Sequence, residues 1–450
     1  MIADRLNPIV VKELRQGLKS RAFTGSFTGL QALMVFSMIM YVLMLREASG
    51  DIAFADGLFW FLLGLLLVLV LPFRAFQALH DEQKNQTLEM VFLTRMTSWD
   101  IAFGKWLALV VQLGLMVTAV LPYLVLRYFL GTINVFEDLL TLGLLVWVAM
   151  LLIAAGVGFS GWKSKLLRGL LIAGAVFSLY MLPMMLYGVT RSMGARLYSQ
   201  PAAWAIGLVS TFLLMLFLVE YGASTIAPPA ENHARRKRTL ALVILGFFCV
   251  AVWLSSPREM LLLGLLFMLP ICIDALCEPY HLVPSLYRGT AQMNPLRRAW
   301  RRLTYPGWPS GLVFVTALMA LMAIILLRPG LSFPQAGLLL LSFYGTLIFP
   351  LALILLVRRR ITDFTPHYLL IQLTLFIVSM VLLIIGYMSQ SAFDAFARFI
   401  PMTACIGALA QEGRSDWFPS IFVVTLACLV ILMTRGLAPW HRILAMEKAD

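Results

Sequence analysis

Apolar stretches close to the roughly 20 residues that a helix needs to cross about 30 Å of hydrocarbon recur down the whole of this 450-residue chain. Twelve can be marked, at 26–45, 57–79, 101–126, 137–160, 166–187, 201–226, 239–256, 259–278, 310–328, 333–357, 366–388 and 417–435. A water-soluble core cannot hide so many, and the composition agrees: 61% of residues are hydrophobic and only 13% charged, against about 25% charged in a soluble domain. The sequence therefore predicts an all-α polytopic membrane protein of about 12 transmembrane helices, arranged as six and six. The five cysteines all lie in or beside apolar runs, so they read as small buried hydrophobes and not as a disulfide framework or zinc ribbon. The first residues are amphipathic, unlike a signal peptide, and no cleaved leader is expected.

The net charge of +13 is explained by where the cations fall. With the N-terminus placed in the cytoplasm, 27 of the 35 Lys and Arg residues lie on the cytoplasmic side of the twelve-span arrangement. Cations retained in short loops fix orientation, so both termini are expected inside. The runs Arg235–Arg238, Arg297–Arg302 and Arg358–Arg360 then read as topology anchors facing anionic membrane lipids, and no nucleic-acid partner is needed. The chain divides at a basic, proline-containing linker, 227–238, leaving a six-span region at 1–226 and a second membrane region of unknown role at 239–450.

Two stretches of the first half carry more pattern than a loop requires. In 7–21, Asn7 suits an N-cap and Pro8 the first helical position. Val11, Leu14 and Leu18 then share one face while Lys12, Arg15, Gln16 and Lys19 share another, the layout of a helix lying in the headgroup plane. In 80–100 a polar run is followed by a short apolar turn, Leu88–Leu93, too short to cross the membrane and so bound to bury against its surface or a partner. Thr97 and Asp100 form a capping-box pattern that starts the third span.

These two stretches resemble the membrane subunit of type-2 ABC exporters. The matching residues are Asn7, Pro8, Lys12, Glu13, Leu14 and Arg15, then Thr87, Leu88, Glu89, Thr94, Trp99, Asp100, Ile101, Gly104 and Lys105. The resemblance covers about residues 1–226. It implies a connector helix carrying Lys12, Glu13 and Arg15, and a coupling helix that docks on a separate ATPase subunit through Thr87, Glu89, Phe92, Thr94, Trp99 and Asp100. One departure is that Arg95 stands where the family has proline after the second threonine. The implied partners are a soluble ABC ATPase dimer, which holds the ATP and Mg, and a second permease subunit as homodimer or heterodimer. The implied location is the plasma membrane, as in a bacterial inner membrane, and the implied role is export of an unidentified substrate.

The residues bear on the energy source independently. A phosphate-cradling G-x-x-x-x-G-K-[ST] loop is absent: the lone Gly-Lys pair, Gly104-Lys105, runs into a span. The chain therefore binds no nucleotide cofactor by that route, and it reads as a transport subunit and not an enzyme. Glu220 and Asp274, ionisable groups within spans, are candidate pathway residues, with an ion-pair position as the alternative and Arg74 as one possible partner. The string Cys272…Asp274…Cys277-Glu278 has metal-compatible residue types but poor helical spacing, and no metal is assigned. Gly158-Phe159-Ser160-Gly161 matches a rhomboid-type motif without a histidine base nearby, and reads as small residues for helix packing. Two other classes fit the hydrophobicity: an ion-coupled secondary transporter of two six-span halves, and a membrane-embedded enzyme.

Overall fold

The computed structural model describes residues 8–46, 52–78, 96–130, 135–162, 169, 201–228, 231–254, 257–280, 283–288, 290, 292–325, 333–357, 364–389, 397–409 and 417–448. Among these residues all regular structure is helical and no strand occurs. Among them eight helices are long and apolar enough to cross a membrane, or nine if one bent pair is counted as a single span. The protein is an all-α, multi-pass membrane protein. It divides into two compact units, Met1–Ala227 and Pro228–Asp450.

The first unit contains α1 (Pro8–Lys19), α2 (Arg21–Arg46), α3 (Ile52–Ala75), α4 (Ser98–Phe129), α5 (Val135–Phe159) and α6 (Pro201–Ile226). Close approach of α5 to its neighbours is made by glycine. A Cβ on Gly156 would fall 2.8 Å from the Pro72 carbonyl oxygen of α3, and one on Gly158 would fall 2.7 Å from the Leu218 oxygen of α6. Gly222 on α6 returns the contact, lying against Val157. This is the small-residue packing expected of the Gly158–Gly161 segment, since lipid offers helices no hydrophobic reason to associate and contact distance decides. The pairs Trp147 with Thr211 and Trp162 with Tyr221, each 2.7 Å, climb both helices together. Helices α5 and α6 therefore run parallel, and Trp162 and Pro201 lie at opposite ends of the pair.

The second unit contains α7 (His233–Leu254), α8 (Pro257–Cys277), α9 (Pro284–Tyr287), α10 (Pro295–Leu303), α11 (Trp308–Ile325), α12 (Phe333–Val357), α13 (Phe364–Ser389), α14 (Pro401–Leu409) and α15 (Phe418–Lys448). Helices α10 and α11 are bent by 107° about Thr304–Gly307. Gly307 has φ +117°, which L side chains rarely adopt, and a side chain there would also meet Tyr280.

Eleven of the twelve expected stretches coincide with helices; 166–187 lies outside the described residues apart from Gly169. Three features differ from the expectation. Helix α7 starts on His233-Ala-Arg-Arg-Lys-Arg, so its apolar part begins only at Thr239, after a strongly basic first turn and a half. The tail after residue 434 is helical, because α15 continues to Lys448 and packs Ile443 against Tyr287 and Tyr305. The connection between α13 and α15 contains a further helix, α14.

The glycine contacts give a direct test. Gly158→Leu should lower the thermal midpoint of the detergent-solubilised protein, with overpacking costing about 1–3 kcal/mol. Gly143→Leu on the same helix, where nothing lies within 4 Å of the added Cβ, should leave the midpoint unchanged.

Candidate functional site

The expected connector helix is α1, and its exposed side carries Lys12, Arg15, Gln16 and Lys19. The deepest stripe is offset from the apolar face: Val10 and Gly17 are buried, with Glu13 half-buried between them. Glu13 Oε1 meets Lys105 Nζ of α4 at 2.8 Å, with Lys105 itself only 5% exposed. Gly17 packs directly onto the Gln112 side chain, leaving no room for a Cβ. Arg74 of α3 donates to Gln112 Oε1 at 2.7 Å and, more weakly, to Ser20 Oγ at 3.4 Å. Helices α1, α3 and α4 are thus tied by one charge pair and one hydrogen-bond chain, and two residues of the sequence pattern, Glu13 and Lys105, are in contact.

Of the expected coupling residues, Thr87, Glu89, Phe92 and Thr94 lie outside the described residues. Trp99 and Asp100 are at the start of α4. Asp100 Oδ2 accepts from the Thr97 backbone N–H at 3.1 Å while Thr97 Oγ1 accepts from the Asp100 N–H at 3.2 Å, a reciprocal capping box. Trp99 stacks on Phe103 with ring centroids 5.5 Å apart, Phe103 packs on Trp106 at 5.5 Å, and the Trp106 indole donates to the Met150 oxygen of α5 at 3.4 Å. The first turns of α4 are therefore stiffened by a cap, an aromatic ladder and the Lys105 pair.

At the opposite end of α4, Arg127 is 1% exposed. Its Nη2 meets Asp56 of α3 at 2.6 Å and its Nη1 meets Asp138 of α5 at 3.3 Å. The guanidinium also lies 4.3 Å from the Phe59 ring centre, with Tyr41 and Trp60 at 5.7 Å each. Four helices thus meet on one cation. The sequence signal for this cluster is Asp56 and Asp138, at the starts of the two spans that flank α4.

Glu220 is buried on α6, 1% exposed, two residues beyond Leu218, which Gly158 contacts. Arg74, offered as one possible ion partner, is engaged with Gln112. Asp274 of α8 instead meets Lys237 of α7 at 2.9 Å. Lys237 also meets Glu278 at 3.1 Å, and Arg238 Nη2 meets Glu278 at 3.0 Å. Arg238 further donates to the Leu303 and Gly307 oxygens and to Ser310 Oγ, and the Gly307 N–H donates to Glu278 at 3.2 Å. This corrects the reading of Arg235–Arg238 as four lipid-facing anchors: Arg235 and Arg236 are exposed, whereas Lys237 and Arg238 are buried. The reason is helical rotation, because four successive residues at about 100° each cannot share a face. With Asp274 and Glu278 turned to these cations, Cys272 and Cys277 are left as buried free thiols.

The C-terminal helix is held similarly. Glu447, 2% exposed on its side chain, accepts from Arg302 at 2.7 Å and lies 3.0 Å from the Tyr305 hydroxyl. Burial pushes the Tyr305 phenol up to about 12, so it remains a neutral donor. Arg298 and Arg301 donate to the Met293 and Leu286 oxygens, so this run too is partly turned inward. No known protein family, curated protein or solved structure matches the chain.

Arg127→Ala should lower stability by about 3–5 kcal/mol, because it strands two carboxylates among apolar helices. Adding Asp56→Asn and Asp138→Asn should recover most of the loss. Thermal unfolding in detergent measures both; equal midpoints for Arg127→Ala and wild type contradict the assignment.

Proposed function

We propose that the chain is the membrane-spanning subunit of an ATP-driven ABC exporter, with both termini cytoplasmic and about twelve crossings. ATP and Mg act on a separate ATPase dimer, which engages the segment 80–100. The observation that carries this reading is the Glu13–Lys105 pair, because it joins the two segments whose patterns resemble the exporter connector and coupling regions. Pro8 opens α1, and Lys105 lies two turns into the helix that follows the proposed coupling segment.

The physics of the arrangement fits that task. A partner acting on 80–100 pulls on α4 through the Thr97–Asp100 cap, and α1 follows because Glu13 and Gly17 are fastened to α4. Displacing helices as rigid bodies about packed contacts is how access is switched between two sides of a membrane. Six crossings in the first unit are supported by the parallel course of α5 and α6, since the chain leaves α5 at one end and enters α6 at the other. The second unit then also has an even number, returning α15 and the C-terminus to the side of the basic loops. The exported substrate has no chemical signature in these contacts.

The reading is tested by purifying the protein from its membrane in mild detergent. An ABC ATPase should co-purify with the wild type and be released by Glu89→Lys or Phe92→Asp; a transport-competent chain with no ATPase overturns the proposal. Glu13→Lys should reduce substrate-stimulated ATPase activity of the complex, and Glu13→Lys with Lys105→Glu should restore it if the pair transmits motion. Reporter fusions at residues 85 and 298 should both report cytoplasm, and an outside signal at either breaks the twelve-span topology.

A further inference from the structure

Helix α10, Pro-Leu-Arg-Arg-Ala-Trp-Arg-Arg-Leu, has two sides of opposite character. At about 100° per residue Arg297, Arg298, Arg301 and Arg302 fall on one side, and Leu296, Trp300 and Leu303 on the other. The basic side is turned to protein along most of its length: Arg298 and Arg301 donate to the Met293 and Leu286 oxygens, and Arg302 holds Glu447 at 2.7 Å. The apolar side lacks such cover at its start. Leu296 is 85% exposed, more than any other large hydrophobic residue among those described.

The direction in which the apolar side looks follows from α11 and α15. Helix α11 begins its apolar course at Trp308, and a Cβ on Gly436 of α15 would lie 3.5 Å from the Trp308 ring. Glu447 follows Gly436 by eleven residues, about 16 Å farther along the helix at 1.5 Å per residue. The side of α10 that reaches Glu447 through Arg302 therefore faces away from the bilayer, and the opposite side looks back toward it. Helix α10 is bent by 107° from α11, so it runs along the membrane surface while α11 crosses. An amphipathic helix in that plane buries its apolar side at the boundary between headgroups and acyl chains, and tryptophan is enriched at that depth.

Arg297 stands apart from the other three arginines. It is exposed, lies one turn from Trp300, and pairs with no acidic group among the described residues. The first turn of α7 is fastened where α10 ends: Asn232 Nδ2 donates to the Thr304 oxygen at 3.4 Å, and Arg238 donates to the Leu303 oxygen. Arg235 and Arg236 on that turn are exposed, again with no acidic partner among the described residues. Three exposed cations thus accompany the apolar edge.

We propose that α10 is an interfacial anchor: Leu296, Trp300 and Leu303 rest against the acyl chains, and Arg297, Arg235 and Arg236 hold the headgroup phosphate of an anionic phospholipid. Lipid is the occupant because the exposed edge faces the bilayer, which offers acyl chains to Leu296 and, at the level above them, phosphates to Arg297. The lipid contact belongs to one edge of α10 and one turn of α7, whereas Arg298, Arg301 and Arg302 hold the protein's own chain. The anchor is separate from the 80–100 segment and stands whether or not an ATPase binds there.

The experiment places a nitroxide on Leu296→Cys or, as a solvent reference, on Ala445→Cys, which is exposed on the tail of α15. The full-length protein is reconstituted in nanodiscs of phosphatidylcholine and phosphatidylglycerol, and wild type treated with the same reagent gives the background from its own cysteines. The label at 296 should collide with oxygen more than with a water-soluble nickel chelate, and the label at 445 the reverse. In native mass spectrometry of the detergent-purified protein, Arg297→Gln should retain less phosphatidylglycerol than wild type. Adding Arg235→Gln and Arg236→Gln should deepen that loss, with phosphatidylcholine retention unchanged, and inorganic phosphate should displace none of the bound lipid. A label at 296 as open to the nickel chelate as the label at 445, wild-type phosphatidylglycerol retention in the triple variant, or displacement by inorganic phosphate overturns the anchor.

Discussion

A peptide group exposed to hydrocarbon has nowhere to send its hydrogen bond, and the architecture follows from that constraint. Helices satisfy the backbone internally, so the chain between the loops is helical and its outward faces carry residues such as Ile39, Val125 and Ile377 that a soluble protein would cover. What helices do not satisfy are their own ends and any polar side chain within the layer. The most specific features of the protein lie at those places: the box around Arg127 where α3, α4 and α5 begin or end, the Lys237–Glu278 network where α7 starts and α8 stops, and the buried amino terminus of α14.

The two charge networks solve the same problem with different chemistry. Around Arg127 one cation faces two carboxylates, and its Nε has no hydrogen-bond partner, so ring faces and Coulomb attraction do most of the holding. Around Lys237 and Arg238 two cations face two carboxylates, and carbonyl oxygens of the 303–307 turn complete the coordination. A charge-balanced, hydrogen-bonded set tolerates burial better than an isolated pair. It also fixes the 107° bend between α10 and α11, since Gly307 both supplies an oxygen to Arg238 and donates to Glu278.

Hydropathy made the helices legible because each span must be apolar over a length set by the membrane, whatever it packs against. The capping box at Thr97 and Asp100 was legible for a similar reason: it is decided within four residues. Long-range pairings carry no such local mark. Glu13 and Lys105 are 92 positions apart, and nothing in either neighbourhood says which of the many cations and acids will meet. Lys237 and Arg238 were concealed by their companions, since a basic run reads as a surface even when helical rotation turns half of it inward. Helix α14 was hidden by its brevity: Pro401–Leu409 is too short to register as a span and too ordinary in composition to stand out from a loop. The amphipathic pattern of 7–21 made α1 legible, while its fastening through Gly17 onto Gln112 required three dimensions.

The start of α4 shows why stiffness matters more than the number of contacts there. A free helix end frays over its first turn, and a force applied to it is dissipated in unwinding. Here the Thr97–Asp100 cap closes that turn, Trp99, Phe103 and Trp106 brace the next two along one side, and Lys105 ties the other to α1. Deformation of α4 between Thr97 and Trp106 would have to break the cap and unstack the rings before it released Lys105. Sliding α1 and α4 together breaks none of them. The softer motion is the collective one, so a displacement entering at Thr97 moves α1 with the span instead of being lost at the helix end.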